Sequence, residues 1–383
     1  MRAFRCSNCD QLLFFENSQC LNCGSQLGFV PSTLQLVRMD DRPELPRCAN
    51  TFVARCNWLV EREGEDLCLS CRTTKVRPAD DDPAGLEQYA EAESAKRRVL
   101  YQLLDIGLPV NDDTLDFELK NSDVEAVMTG HADGVVTLDL AEADDAQRAQ
   151  RRNDLGEPYR TLVGHFRHEL GHYYQPIVLT NERDWERCRA VFGDERQSYQ
   201  DALDRHYANG APADWPDRFV SAYATMHPWE DWAETFAHYL HIRDTLQTAA
   251  NFGLQIVGPS PMIGDDEFES YPDEANAHRS FDAMWQNWLP LTYALNQINR
   301  SMGRLDLYPF ALSQPAVDKL AFMHTLVNAA TKPWNIEATR EAAVTAWEGD
   351  SPEDAPVNDT PADPAAGAPA NPAIGAPAPG AGA

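Results

Sequence analysis

Residues 164–174 read Gly-His-Phe-Arg-His-Glu-Leu-Gly-His-Tyr-Tyr and contain the pattern His168-Glu169-x-x-His172. On a helix, residues four apart lie on one face, so the two imidazoles can converge on one zinc ion. Zinc makes water a usable nucleophile near neutral pH, and the carboxylate of Glu169 can accept the proton of that water. The pattern therefore predicts a catalytic zinc site.

The same stretch favours an amphipathic helix. Its apolar residues recur at helical spacing, at Leu162, Phe166, Leu170 and Tyr173. Gly171 costs about 1 kcal/mol against alanine in a helix interior, so we expect another segment to pass close to it. A five-residue pattern also arises by chance, with histidines that pack in the core or lie on the surface. A third ligand elsewhere in the chain decides between the two interpretations.

The segment from Ser221 to Leu240 supplies a candidate for that ligand. Pro228 suits the first turn of a helix, and its buried stripe is predicted at Trp232, Ala233, Phe236, Ala237 and Leu240. Glu230 and Glu234 share a face, where they would repel if both were buried without a cation. Glu230 can complete a His2Glu ligand set, while Glu234 can accept a hydrogen bond from a ligand histidine. The alternative is a solvated face with ordinary salt bridges.

Eight of the nine cysteines form two quartets. The first is Cys6-x2-Cys9-x10-Cys20-x2-Cys23, and the second is Cys48-x7-Cys56-x11-Cys68-x2-Cys71. Paired cysteines at such spacing predict two structural four-thiolate zinc sites, with no open position for chemistry. A disulfide framework is the alternative, and it would require an oxidising compartment. Residues 1–76 carry no net charge, so we interpret this region as a scaffold or a contact site for a protein partner.

Composition limits the remaining possibilities. The chain has 383 residues, of which 43% are hydrophobic and 24% are charged, as in globular proteins. It has no apolar run of the ~20 residues that span a membrane, and residues 1–6 lack the apolar core of a signal peptide. A net charge of −28 opposes binding to nucleic acid or an anionic membrane. We therefore expect a cytoplasmic protein without a nucleic-acid or membrane partner.

The rest of the chain predicts an α+β organisation. Short strands are expected at 117–120, 125–128 and 134–140, and an edge strand of such a sheet could pair with an extended peptide. Helices are expected at 84–106, 181–192, 195–208, 274–303, 316–329 and 333–347. These patterns predict a zinc-ribbon domain at 1–76 and a mainly helical domain with a small sheet at 84–347. Residues 348–383, rich in Pro, Ala and Gly, are expected to be a disordered tail.

The two motifs together resemble a known family. Glu230-x-x-Ala233-Glu234-x-Phe236-Ala237 is similar to the glutamate helix of gluzincin-type metallopeptidases. With the cysteine-rich head, residues 4–345 resemble a bacterial family of zinc-binding metallopeptidases that carry an N-terminal zinc ribbon. The resemblance implies that the second domain, at 84–347, is zincin-like. It implies that His168, His172 and Glu230 are zinc ligands and that Glu169 is the general base. It also implies that Tyr223 stabilises the oxyanion, with His227 as the alternative for that role.

The sequence thus predicts a metallopeptidase with one catalytic and two structural zinc ions, whose substrate is a peptide or a protein. The alternative from another class is a non-catalytic scaffold that binds a protein partner through its ribbon head. Glu169 favours the enzyme, because nothing outside the zinc motif needs this residue for folding. The sequence does not specify the substrate, the cleavage preference, endo- or exo-action, the oligomeric state, or the role of the ribbon domain.

Overall fold

A computed structural model describes residues 1–122, 124, 127–143, 161–259, 267–272 and 280–330. Within these ranges the helices are α1 (Leu69–Arg72), α2 (Pro83–Asp105), α3 (Leu162–Val178), α4 (Glu182–Phe192), α5 (Tyr199–Asn209), α6 (Pro228–Asn251), α7 (Phe281–Ser301) and α8 (Gln314–Ala330). The strands are β1 (Phe4–Arg5), β2 (Leu12–Leu13), β3 (Leu27–Val30), β4 (Gln35–Arg38), β5 (Thr74–Val76), β6 (Asp116–Lys120), β7 (Gly130–Ala132), β8 (Val135–Asp139), β9 (Ile256–Pro259) and β10 (Glu267–Ser270). This α+β architecture confirms the predicted fold class.

Several predictions fall outside the described residues. They are the helix at 333–347, the tail at 348–383 and the first residues of the helix expected at 274–303. None of the helices that the structure describes has the length and apolarity needed to cross a lipid bilayer.

The N-terminal region, called the ribbon head here (residues 1–76), contains two antiparallel hairpins, β1–β2 and β3–β4. Its aromatic core brings Phe15 and Phe29 within 5.0 Å of each other, and Phe29 lies 5.1 Å from Trp58, measured between ring centroids. Tyr101 of α2 completes this cluster, with its ring centroid 5.0 Å from that of Phe15. The core of the head is therefore continuous with that of the following helical region.

The four-stranded sheet has the order β5-β6-β8-β7. Strands β5, β6 and β8 run parallel, and β7 pairs with β8 in antiparallel fashion at the edge. Strand β5 ends the ribbon head and yet belongs to this sheet, a pairing that the sequence did not predict. The predicted domain boundary at residue 76 therefore falls at the end of β5, a strand of the ribbon head that pairs with β6 of the following region.

Only the second half of the strand expected at 125–128 is described, and that half is not part of a strand. Val127 and Met128 are irregular, Glu125 and Ala126 lie outside the described residues, and the edge strand β7 begins at Gly130. The reason is the two-residue turn Asp133-Gly134, in which both residues have positive φ, 49° and 79°. A turn of this kind fixes the hairpin register, so the strand that pairs with β8 must end at Ala132.

Helices α3 and α6 cross at close range and position the site. A Cβ added to Gly171 would lie 2.9 Å from the Cα of Ala233, which is closer than real side chains approach a backbone. The indole nitrogen of Trp232 donates to the carbonyl of Gly171 at 2.9 Å. The prediction that another segment passes close to Gly171 is confirmed, and that segment is α6.

The helix N-termini follow local capping chemistry. Thr161 caps α3 by accepting from the N–H of Gly164, and Asn181 caps α4 by accepting from Asp184. Helix α5 begins at Tyr199 rather than at the predicted 195, because Ser198 accepts from the N–H of Asp201. The serine hydroxyl satisfies an N–H group that has no intrahelical partner, and it therefore sets where the helix starts.

Candidate metal centre

Three potential ligands from α3 and α6 meet at one point. The Nε2 atoms of His168 and His172 are 3.2 Å apart. The Oε2 atom of Glu230 lies 2.9 Å from the former and 3.5 Å from the latter. The two histidines are one turn apart on α3, and Glu230 lies in the first turn of α6. Two remote sequence segments therefore present two imidazoles and one carboxylate to a common centre.

The spacing of these atoms matches the size of a zinc ion. Ligands at about 2.0–2.1 Å from a tetrahedral zinc are separated from one another by about 3.3 Å. The three separations here bracket that value. Two nitrogens and one carboxylate oxygen are also a donor set that zinc prefers in catalytic sites. The three residues can therefore hold zinc and leave one tetrahedral position open.

Two further side chains orient the ligands. The Oε1 atom of Glu234, one turn along α6, lies 2.7 Å from Nδ1 of His168 and accepts its hydrogen bond. The hydroxyl of Tyr199 donates to Oε1 of Glu230 at 2.9 Å, which leaves Oε2 for the centre. Carboxylates that hold the outer nitrogen of a ligand imidazole fix its tautomer and its ring orientation. Glu234 is thus located where the sequence predicted it, whereas Tyr199 was not predicted.

The charges of neighbouring groups favour the ionised, ligand form of Glu230 against the opposing effect of burial. The residue is only 2% exposed, and burial by itself would raise the pKa of its carboxyl group. The adjacent His172 and His168 have a larger combined effect and lower the pKa well below its ordinary value. Glu230 is therefore ionised at neutral pH, as a metal ligand must be.

The ring of Trp229 packs against the ring of His172, with 3.9 Å between the ring centroids.

Glu169 follows His168 on α3 and is buried, with 5% exposure. Its Oε1 atom accepts a hydrogen bond from Nε2 of His165 at 3.1 Å. Burial opposes ionisation, but the hydrogen bond from His165 and the charges of the neighbouring histidines lower the pKa of Glu169. The carboxylate is therefore available as a proton acceptor at neutral pH.

The two residues suggested for oxyanion stabilisation have different surroundings. The ring centroid of Tyr223 lies 6.0 Å from that of His168, and burial raises the pKa of its hydroxyl well above the ordinary value. His227 instead caps α6: its Nδ1 atom accepts from the N–H of Trp229, and Nε2 donates to the carbonyl of Gln197, both at 3.1 Å. Tyr223 thus lies beside the ligand cluster with a proton to donate. Both ring nitrogens of His227 are engaged in holding the helix start and a loop.

Sequence reasoning also missed His131 on the edge strand β7. Its ring is nearly parallel to that of His172, at 20° and 6.4 Å between centroids. Burial lowers the pKa of His131 to about 4, so its imidazole is neutral. The edge strand of the sheet therefore runs beside the ligand cluster. The sequence did contain a signal, because His131 lies next to the predicted strands. The strand was predicted at 125–128 rather than at Gly130–Ala132, so His131 was not assigned to it.

The eight ribbon cysteines form two compact clusters, in which all Sγ atoms of a quartet lie within 4.8 Å of one another. The Sγ atoms of Cys9 and Cys20 are 3.6 Å apart, as are those of Cys56 and Cys68. Thiolates at about 2.3 Å from a tetrahedral zinc are separated by about 3.8 Å, whereas a disulfide needs about 2.05 Å. All nine cysteines are described and are free thiols, so the disulfide alternative is wrong. Both quartets can hold a zinc ion.

Comparison with known proteins agrees with this geometry. The model of a family described as "Putative zinc-binding metallo-peptidase" matches residues 85–326, and the model of a zinc-ribbon domain matches residues 3–82. The ribbon and the His2Glu cluster define a protein of the zinc-binding metallopeptidase class with a zinc-ribbon head. The chain belongs to this metallopeptidase family, which confirms the predicted resemblance.

Relatives of this chain occur in mycobacteria. An uncharacterized protein of Mycobacterium bovis and one of Mycobacterium tuberculosis are each 48% identical to it over 339 residues. The aligned region covers 86% of this chain and 96% of each relative. No solved structure matches the chain.

Proposed function

We propose that this protein hydrolyses peptide bonds at a zinc ion held by His168, His172 and Glu230. The observation that carries the proposal is the spacing of their three ligand atoms, 2.9, 3.2 and 3.5 Å, beside a buried, ionised Glu169. When bound, the zinc would polarise the scissile carbonyl and lower the pKa of water. The family match supports the peptidase class.

The protein's own residues then have distinct roles. Glu169 accepts a proton as the oxygen of water bonds to the carbonyl carbon, and it gives a proton to the amine nitrogen as the C–N bond breaks. Tyr223, protonated at neutral pH, donates a hydrogen bond to the oxyanion that forms on the former carbonyl oxygen. Glu234 keeps His168 oriented throughout. His227 is omitted from this reaction, because both of its ring nitrogens already have partners.

The sheet offers a place for the substrate. Strand β7 lies at the edge of the four-stranded sheet, and its His131 faces His172. An extended peptide can pair with an edge strand through main-chain hydrogen bonds. We propose that the substrate lies along β7 as an extended segment of a peptide or protein, with its scissile bond near the ligand cluster.

The ribbon quartets are proposed to hold the two structural zinc ions. Four thiolates saturate a tetrahedral zinc, so these sites contribute stability and no reaction. The absence of a disulfide at all nine described cysteines matches a reducing compartment, and we place the protein in the cytoplasm. The net charge of −28 supports a protein substrate over a nucleic acid.

A digest of a defined peptide library, read by mass spectrometry, tests the proposal. We expect the zinc-loaded wild type to cleave a subset of peptides, and we expect Glu169→Gln to retain its zinc and lose about 10²- to 10⁴-fold in rate. His324→Gln, a substitution of a buried histidine on α8 outside the cluster, is the matched control and should cleave like the wild type. Cleavage by Glu169→Gln at the wild-type rate would contradict the mechanism.

A second function, as a scaffold for a protein partner, is favoured by the surface of the ribbon head. Leu21 lies inside the second cysteine knuckle of the first quartet and is 92% exposed, and Phe52, four residues after Cys48, is 90% exposed. Exposed apolar side chains mark a contact site where they form a contiguous patch. A scaffold would bind its partner equally well in wild type and Glu169→Gln, and it would lose binding in a Leu21→Ser/Phe52→Ser double variant.

A further inference from the structure

His165 lies between two buried carboxylates, those of Glu142 and Glu169. Its Nε2 atom is 3.1 Å from Oε1 of Glu169, and its Nδ1 atom is 2.6 Å from Oε2 of Glu142. Glu142 is 1% exposed and Glu169 is 5% exposed. Three ionisable side chains therefore form a continuous hydrogen-bonded row that ends at the proposed general base.

The fold brings these residues together from two elements. His165 and Glu169 are one turn apart on α3, so the helix itself makes them neighbours. Glu142 belongs to the short 3-10 turn Leu140–Ala143, which directly follows strand β8. The row thus connects the sheet to the metal-binding helix through side chains.

The charge of His165 follows from this environment. Burial alone would lower the pKa of the imidazole, but the carboxylates of Glu142 and Glu169 raise it to about 9. At neutral pH both ring nitrogens therefore carry protons, and each donates to one carboxylate. A neutral imidazole could donate to only one of them.

We infer that His165, held by Glu142, is a positioning residue that fixes the carboxylate of Glu169 in the orientation required of the general base. His165 donates to the Oε1 atom of Glu169, and no described residue donates to its Oε2 atom. The Oε2 atom is therefore available to the reacting water. A charged hydrogen bond at Oε1 also keeps the carboxylate from rotating about its side-chain torsions. This inference rests on the proposed function, because it assigns a role relative to that reaction.

The hydrogen-bonded arrangement of Glu142, His165 and Glu169, called the clamp here, can be tested without any substrate. In full-length, zinc-loaded protein labelled with ¹⁵N only at histidine, we expect two hydrogen-bonded ring N–H signals from one imidazolium at neutral pH, both absent in His165→Gln. Glu169→Gln should shift the Nε2–H signal, and Glu142→Gln should shift the Nδ1–H signal. A single ring N–H signal for His165, or signals that neither substitution moves, would overturn the clamp.

The catalytic consequence is tested by kinetics on a library peptide. We expect His165→Gln to retain all its zinc and to lose about 10- to 100-fold in kcat with little change in KM, as for other residues that orient a site. Glu142→Gln, which retains an acceptor oxygen, should lose less, and His324→Gln should match the wild type. An unchanged kcat in His165→Gln would overturn the positioning role while leaving the proposed function intact.

The two failures are distinguishable. A zinc-loaded wild type that cleaves no library peptide would overturn the proposed function and, with it, the positioning role. The histidine signals would still decide independently whether the clamp between Glu142 and Glu169 exists.

Discussion

The second cysteine quartet and the His2Glu cluster can both hold a metal ion, but they differ in their donor atoms and in their surroundings. The quartet offers four buried sulfurs, whereas the cluster on α3 and α6 offers two nitrogens and one oxygen. Four donors fill a tetrahedron, and three leave a position for a reactant. The donor set of the quartet therefore suits a closed structural site, whereas the donor set of the cluster leaves room for a reactant.

The polar and charged side chains that lie next to the two sites also differ. Arg97 of α2 is buried beside the quartet, where its guanidinium donates to the carbonyl of Ala54 at 2.9 Å. Burial opposes its charge, but the thiolate of Cys56 and the other nearby anions raise its pKa. A buried cation beside thiolates balances the negative charge of a four-sulfur zinc site. The His2Glu cluster is instead flanked by acceptors and hydroxyls, Glu234 and Tyr199, which orient ligands rather than neutralise them.

The largest effect is expected from disrupting the second cysteine quartet, whose four donors leave no coordination position open. Cys68→Ser should remove the zinc of the second quartet and unfold the ribbon head, because structural zinc contributes about 10–16 kcal/mol, comparable to the whole stability of a domain. Metal counting and limited proteolysis of residues 1–76 would measure both effects. Unchanged zinc content and protease resistance would mean that this quartet is not a metal site.

A smaller and more selective effect is expected at the His2Glu cluster, called the open site here because three ligands leave one position of a tetrahedron free. Glu234→Gln removes the carboxylate that accepts from Nδ1 of His168. We expect zinc affinity at this site to fall about 10- to 100-fold, with the two ribbon sites unaffected. Competition with a chelator of known affinity would measure the change. Equal loss from all three sites would show that the substitution acts on folding rather than on the ligand.

An effect on folding rather than on metal affinity is expected at the contact between α3 and α6, the two helices that carry the His2Glu cluster. Gly171→Ala gains about 1 kcal/mol of helix propensity, but its Cβ would lie 2.9 Å from the Cα of Ala233. Because a backbone atom cannot yield as a flexible side chain does, we expect a net loss of about 1–3 kcal/mol in the free energy of unfolding. Denaturant titration would measure it. A stabilised variant would contradict the close packing of α3 against α6.

The sequence predicted the parts of the site that follow from local spacing. His168, His172 and Glu230 were found because helix geometry converts a spacing of four residues into one face, and because buried paired glutamates require a cation. The eight ribbon cysteines were predicted from another local signal, the spacing of cysteine pairs in four-thiolate zinc sites. For these residues the local pattern and the spatial cluster coincide.

What the sequence could not predict depends on contacts between distant segments. Strand β5 joins a sheet whose other strands lie 40 or more residues later, and nothing local marks that pairing. Glu142 reaches His165 only because the sheet ends beside α3. Tyr199 gave no periodic signal, since its partner Glu230 lies on another helix. His165 itself was one turn ahead of Glu169, and that spacing was a signal that could have been used.

The His2Glu site is tested most directly by the number of zinc ions per chain, counted by native mass spectrometry on wild type, His172→Ala and Glu230→Ala. We expect three ions in the wild type and two in each variant, because either substitution removes one of the three proposed ligands of that site. Two ions in all three proteins would mean that the His2Glu cluster binds no zinc, and the scaffold function would then replace the peptidase.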